Sequence, residues 1–211
     1  IETGEENGSQ GLEEIIRAKT ADFAADAFLA SDGPRTEMSK PNITLGNRGC
    51  ATFTLSVDLR PGGHHSGNWG GLLANPGIIL AHALASITDA RGRILVDGWR
   101  PAIPGPVRDV LKGIDREAGK NAPAIDDGWG EPGLSRIEKI SAFNAFEVLA
   151  YETGTPARPV NAIPPKAVAV CQLRFVVGTD AERITEHLRA HLDARGFQIV
   201  KIGPPPSGNN G

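Results

Sequence analysis

The sequence predicts a two-layer α+β domain built on an antiparallel sheet, and three observations indicate it. Between residues 43 and 59, polar and apolar residues alternate for much of the length, as in a half-buried strand. Amphipathic helices are predicted to begin near Asn75, with Pro76 in the first turn, and near Asp180. Further strand patterns cover residues 145–150, 168–177 and 197–202. Helices on one face of such a sheet give a fold of ferredoxin-like type.

The remaining elements are less regular. Residues 11–19 have the periodicity of a short helix, and residues 27–30 form an apolar strand that ends at a turn. Residues 94–96 resemble another short strand. The stretch 98–140 contains several prolines, and one amphipathic helix is predicted near 107–118.

The composition excludes several classes of protein. Of the 211 residues, 40% are hydrophobic and 22% are charged, which is ordinary for a globular chain. A formal net charge of -3 offers no basic surface for nucleic acid, and no apolar run reaches the ~20 residues that a membrane span needs. Cys50 and Cys171 are too few for a disulfide framework, and their apolar neighbours predict buried free thiols. We therefore expect a cytoplasmic protein without nucleic-acid or membrane partners.

Carboxylates near the start of the chain are candidates for metal chemistry. Glu5 and Glu6 precede the first predicted helix, and Asp32 follows the predicted strand at residues 27–30. Carboxylates at the ends of strands bind hard or borderline metal ions. Adjacent acids on a surface and a turn aspartate are equally ordinary features, so none of these residues is specific by itself.

Two further motifs carry candidate binding side chains. His64 and His65 begin the glycine-rich stretch HHSGNWGG, where a histidine is exposed enough to meet a substrate. Asn161 begins NAIPP, and the strand that follows carries Arg174 among valine, leucine and phenylalanine. A buried arginine there needs an anionic partner, which could be structural or a substrate carboxylate.

Taken together and in order, five stretches resemble one family: GEENGS, ASDGP, ITLGNRG, HHSGNWGGLLANP and VNAIPPKAVAVCQLR. It is the family of cocatalytic zinc peptidases and deacylases that includes aminoacylase, acetylornithine deacetylase, carnosinase and the cytosolic non-specific dipeptidases. The resemblance implies a two-zinc active site and a lid domain of ferredoxin-like type through which two copies form a homodimer.

The resemblance also implies a role for each candidate residue. Glu5 matches the general base, whereas Glu6 and Asp32 match ligands of the two zinc ions. His65 matches a catalytic lid histidine that reaches the partner subunit's active site and stabilises the tetrahedral oxyanion. The remaining two positions match substrate-binding residues of the lid, namely Asn161 and Arg174.

The resemblance divides the chain into three parts. Residues 1–40 match part of the catalytic domain, 41–202 the lid and dimerisation domain, and 203–211 a linker back to the catalytic domain. The family's upstream His-x-Asp and late histidine have no match here, since His191 and Asp193 lie two apart on a predicted helix and point away from each other. We therefore expect an internal fragment that binds zinc weakly and does not hydrolyse peptides alone.

The length of the stretch 98–140 bears on the substrate. The deacylases of the family have a compact lid and the dipeptidases a longer one, so the resemblance favours dipeptides. An N-acyl amino acid deacylase remains an alternative. So does a non-catalytic dimerisation and substrate-binding module.

Overall fold

The computed structural model describes residues 9–27, 46–114 and 123–206, which belong to two compact units. The smaller unit comprises residues 1–42 and 206–211, and its helix α1 spans Leu12–Ala18, which confirms the first predicted helix. The catalytic and metal candidates Glu5, Glu6 and Asp32 lie outside the described residues, as does most of the strand predicted at 27–30.

The larger unit, residues 43–205, contains six strands and five α-helices among its described residues. Its strands are β1 (Gly49–Asp58), β2 (His64–His65), β3 (Ala145–Thr153), β4 (Ala162–Ile163), β5 (Lys166–Phe175) and β6 (Lys201–Gly203). Its helices are α2 (Ser66–Trp69), α3 (Pro76–Ile87), α4 (Gly105–Leu111), α5 (Arg136–Ser141) and α6 (Ile184–Asp193).

The main sheet has the strand order β3-β5-β1-β6, and every neighbouring pair is antiparallel. Along the chain its elements follow as β1, α3, β3, β5, α6 and β6. This order confirms the predicted two-layer α+β fold with an antiparallel sheet. The strands β2 and β4 form a separate two-stranded sheet at one end.

The core lies between the main sheet and the helices α3 and α6. Alternate residues of β1, namely Phe53, Leu55 and Val57, are buried on the helix-facing side, and so are the residues opposite them on β5. Asn75 starts α3 as predicted, because its side chain accepts hydrogen bonds from the backbone nitrogens of the first turn. Leu80 of α3 completes the buried layer.

Two predictions about local structure were wrong. Residues 94–96 form no strand; Ile94 makes a single isolated bridge to Thr88, and Ile94 and Val96 are buried in the core. Cys50 is exposed rather than buried, because it lies on the face of β1 opposite the core. Cys171 is buried as predicted, and burial raises the pKa of its thiol to about 12.

A buried histidine joins the two helices of the second layer. His191 of α6 is 8% exposed, and its Nε2 lies 2.8 Å from the carbonyl oxygen of Ser86 in α3. Burial lowers the pKa of His191, and the charge of Arg195 lowers it further. The Ser86 hydrogen bond and the charge of Asp97 act in the opposite direction but do not outweigh burial.

We therefore expect the free energy of unfolding to fall as the pH drops below about 6.5, the ordinary pKa of histidine. The unfolded chain takes up a proton there that folded His191 resists, so acid favours unfolding until the pH falls below the folded pKa. Urea titrations between pH 7.5 and 5 should show this decrease in the free energy of unfolding, and the decrease should be smaller in His191→Gln. His82→Gln, at an exposed position of α3, is the matched control. An equal pH dependence in wild type and His191→Gln would contradict the assignment.

Candidate functional site

The loop between β1 and α3 holds His65 at the end of the domain where β1 finishes. Here β2 pairs antiparallel with β4, with His64 opposite Ile163 and His65 opposite Ala162. The backbone nitrogen of Ser66 also donates to the carbonyl oxygen of Asn161 at 3.1 Å. The predicted residues His65 and Asn161, separated by 96 residues in the chain, are thus brought together.

The side chain of Asn161 has a fixed orientation. Ser66 Oγ donates a short hydrogen bond to Asn161 Oδ1, so the oxygen of the amide faces the serine. The amide nitrogen Nδ2 therefore faces the histidine ring, and it lies 3.5 Å from His65 Nε2. Both residues are exposed, so this edge of the ring is accessible from solvent.

The tautomer of neutral His65 follows from the hydrogen bond at its second ring nitrogen, Nδ1. The backbone nitrogen of Gly67 donates to His65 Nδ1 at 3.1 Å, so Nδ1 is an acceptor. A neutral imidazole has one N–H, which must then be on Nε2. His65 Nε2 and Asn161 Nδ2 are therefore two donors that face each other without an acceptor between them. We call them the donor pair; an external oxygen placed against both would satisfy them, as in an oxyanion-binding site.

Arg174 lies far from the donor pair within the same chain. It pairs with Cys50 near the start of β1 and with Ala145 at the start of β3, whereas β4 adjoins the other end of β5. Arg174 lies eight positions along the strand from Lys166, a distance of about 26 Å. The side chain is half-buried on the sheet face opposite the core. It makes no ion pair or hydrogen bond among the residues that the structure describes.

No group of three histidine, cysteine, aspartate or glutamate side chains that could hold a metal ion occurs within residues 9–27, 46–114 and 123–206. Likewise, none of the helices in these ranges is long and apolar enough to cross a membrane.

Comparison with known proteins identifies the family of the larger unit. The family model of the peptidase dimerisation domain matches residues 45–199, which is most of the larger unit. The chain belongs to the peptidase dimerisation domain family. Because the matched segment begins before β1 and ends after α6, the dimerisation domain includes both His65 and Arg174.

The dimerisation domain has relatives among dipeptidases. The chain is 38% identical to the Beta-Ala-His dipeptidase of Rattus norvegicus over 210 residues, which cover 92% of the chain and 41% of that protein. It is 26% identical to the Cys-Gly metallodipeptidase DUG1 of Saccharomyces cerevisiae, covering 90% of the chain and 41% of the relative. The crystal structure of human carnosine dipeptidase 1 matches its fold with a TM-score of 0.71 at 23% identity, covering 93% of the chain and 44% of that structure. The chain thus spans less than half the length of these relatives.

Two residues that orient the donor pair were not predicted from the sequence. Ser66 orients the Asn161 amide, and Gly67 fixes the histidine ring. A Cβ atom on Gly67 would lie 3.0 Å from His65 Cε1, so glycine allows the close approach of backbone and ring. The signal was present in the motif HHSGNWGG, but only the histidines were interpreted as functional.

The donor pair predicts a single tautomer for neutral His65. Long-range ¹H–¹⁵N NMR correlations, recorded on the chain at a pH where histidine is neutral, should show the proton on Nε2. Exposed His82 of α3 serves as the comparison, since neither of its nitrogens has a hydrogen-bond partner among the described residues. A His65 proton mainly on Nδ1 would contradict the geometry of the donor pair.

Proposed function

We propose that this chain is the lid and dimerisation part of a zinc-dependent dipeptidase that hydrolyses the peptide bond of dipeptides. The observation that carries the proposal is the donor pair, in which His65 Nε2 and Asn161 Nδ2 converge without an acceptor. Peptide hydrolysis passes through a tetrahedral intermediate whose oxygen is negatively charged. Two oriented donors suit that oxygen, and one such donor contributes about 3 kcal/mol to the transition state.

The separation of the donor pair from Arg174 supports a site shared between two chains. A dipeptide spans about 7 Å when extended, whereas the strand from Lys166, near the donor pair, to Arg174 is about 26 Å long. One chain therefore cannot bring both to the same dipeptide. In a homodimer each active site would receive His65 and Asn161 from one subunit and Arg174 from the other.

Arg174 suits recognition of the substrate carboxylate. Its guanidinium is half-buried and has no acidic partner among the described residues, so its charge is available to a ligand. A guanidinium binds a carboxylate through two parallel hydrogen bonds, which lysine cannot form. This role would select dipeptides with a free C-terminus.

The metal site would lie in the catalytic part of the protein. By the family resemblance, Glu6 and Asp32 would each bind one of two zinc ions, and Glu5 would accept a proton from water as general base. Zinc lowers the pKa of bound water and polarises a carbonyl group. One carboxylate per ion is too few for tight binding, so we expect this chain alone to be inactive.

Two considerations favour a dipeptide over an N-acyl amino acid. The curated relatives named above are dipeptidases, and the stretch between α3 and β3 is long enough to include α4 and α5.

We place the enzyme in the cytoplasm on the composition of the chain.

The homodimer would form through the edge strand β3. This strand is at one end of the sheet order, and its residues 147–152 are all exposed, among them Val148, Leu149 and Tyr151. The Tyr151 hydroxyl donates to the carbonyl oxygen of Gly77, so the first turn of α3 lies beside the same edge. An exposed apolar edge strand is an association surface, and pairing across a two-fold axis would cover it.

The roles of His65 and Arg174 can be separated kinetically in the enzyme that contains this chain. His65→Ala should lower kcat by about 10²-fold with little change in KM, because it removes a donor used in the transition state. Arg174→Ala should mainly raise KM, and the loss should disappear when the substrate is a dipeptide C-terminal amide. Arg91→Ala, an exposed arginine outside the site, is the control.

Three further observations belong to the same assay. A chelator should abolish turnover and zinc should restore it, and N-acetyl amino acids should be poorer substrates than dipeptides. If His65→Ala and Arg174→Ala both stay within about twofold of wild type, the assigned roles are wrong. Efficient hydrolysis of N-acetyl amino acids without dipeptide hydrolysis would favour the deacylase.

Dimerisation through β3 predicts that Leu149→Lys weakens self-association at least about tenfold, because the two-fold axis doubles each new charge at the interface. Sedimentation equilibrium of the chain at micromolar concentrations measures the effect. Ile199→Lys is the matched control, since Ile199 is similarly exposed near the opposite edge strand β6. A wild-type monomer, or equal effects of both variants, would exclude this interface.

A further inference from the structure

The loop of residues 60–75, which holds His65, is not anchored by the core. Each of its residues is either exposed or only partly buried. An open groove of about 510 Å³, lined by residues 58–62, Pro165 and Lys166, lies at the base of the loop. Because none of its apolar side chains is fully buried, the shape of the loop depends mainly on its hydrogen bonds and on the edge contact between the His64 and Trp69 rings.

One side chain joins the two ends of this loop. Arg60 Nη2 donates to the carbonyl oxygen of Ala74 at 2.9 Å, across 14 residues of chain. The other arm, Nη1, is shielded from solvent and has no hydrogen-bond partner among the described residues, so protein atoms cover that end of the guanidinium. The residue after Ala74 is Asn75, which caps α3 and accepts from the backbone nitrogen of Gly77 at 2.9 Å. Arg60 therefore ties the start of the loop to the residue that precedes the N-cap of a core helix.

We propose that Arg60 is a positioning residue for the donor pair, which closes the loop so that His65 Nε2 keeps its place against Asn161 Nδ2. The inference rests on the proposed function of the donor pair. Without Arg60, the loop would keep its short helix α2 and the contact of the His64 and Trp69 rings, but it would be joined to the NAIPP segment only by the two-residue pairing of β2 with β4 and the contacts around Ser66. So short a pairing is marginal by itself. A displacement of about 1 Å at a catalytic group can lower turnover about 10²-fold.

The test uses Arg60→Met and Arg60→Lys in the dipeptidase that contains this chain. Methionine keeps an aliphatic stem and removes the donor, whereas lysine retains one donor. We expect Arg60→Met to lower kcat by about 10- to 100-fold with KM within about twofold, and Arg60→Lys to be intermediate. Arg91→Ala is the control. In a His65→Ala background, Arg60→Met should cause no further loss, because it acts through the histidine.

Two kinetic results would overturn the proposal. One is that Arg60→Met keeps a kcat within about twofold of wild type although the separate variant His65→Ala has a strongly lowered kcat. The other is an undiminished loss in the His65→Ala background. Hydrogen exchange provides an independent readout: amides of residues 64–75 should exchange faster in Arg60→Met, while those of β1 and β5 remain protected.

The exchange measurement also separates this proposal from the proposed function. If wild-type enzyme hydrolyses no dipeptide, the function is wrong, yet faster exchange confined to residues 64–75 would still support Arg60 as the residue that holds the loop. Unchanged exchange would reject it. If Arg60→Met fails to fold, Arg60→Lys provides the comparison with smaller expected effects, and exchange of residues 64–75 equal to wild type in that variant would reject the proposal.

Discussion

The antiparallel pairing of β1 with β5 is the constraint on which the rest of the domain depends. The two strands pair along their whole length, from Gly49 opposite Phe175 to Asp58 opposite Lys166. Since β1 ends where β5 begins, the loops that follow β1 and precede β5 emerge side by side. These loops contain His65 and Asn161, so the register of two core strands places the donor pair. The same register puts Arg174 at the other end, beside the start of β1.

Packing on one face of this pair fixes the register. Leu55 and Val57 of β1 are fully buried, as are Ala169 and Leu173 of β5. Burial of a leucine or valine side chain contributes about 1.5–3 kcal/mol, and a slip of one residue would turn each of them to the opposite face. The segment between α3 and α4 is attached to α6 by a further hydrogen bond, which the indole nitrogen of Trp99 donates to the carbonyl oxygen of Ile184.

A polar residue strengthens this attachment. Asn144 is 5% exposed, and its amide donates to the carbonyl oxygen of Trp99 and accepts from the backbone nitrogen of Val176. The hydroxyl of Thr179 contacts the same amide. Because both the oxygen and the nitrogen of this buried amide are satisfied, the residue joins three segments without an unpaired polar group.

Local signals allowed much of the fold to be predicted, whereas the site required long-range pairing. The start of α3 follows from Asn75 and Pro76, because capping and the proline φ angle act within a few residues. The apolar run ending at Val96 was misread as a strand, since periodicity cannot distinguish a buried strand from other buried chain. The predicted helix at 107–118 is observed only at Gly105–Leu111, and residues 115–122 lie outside the described chain.

In the candidate site, too, residue types could be recognised from local sequence, whereas their arrangement depends on long-range strand pairing. His65 and Arg174 were identified from sequence as candidate functional residues, but their separation could not be, because it depends on the register of β5 against its neighbours. The orientation of Asn161 was also inaccessible to sequence reasoning. It rests on Ser66, which is 95 residues distant in the chain and adjacent only after β2 and β4 have paired.

Exposure and orientation of the donor pair have different physical origins, and that difference matters for the proposed catalysis. In the free chain, water can satisfy His65 Nε2–H and Asn161 Nδ2–H, so two facing donors cost little. Their directions are nevertheless set in advance, by the Gly67 nitrogen on one side and the Ser66 hydroxyl on the other. If a second subunit's active site excludes that water, the donors lose their acceptors and gain one only when negative charge develops on the substrate oxygen. In the proposed enzyme the fold would supply the orientation before the reaction begins, and desolvation in the proposed dimer would make that orientation effective.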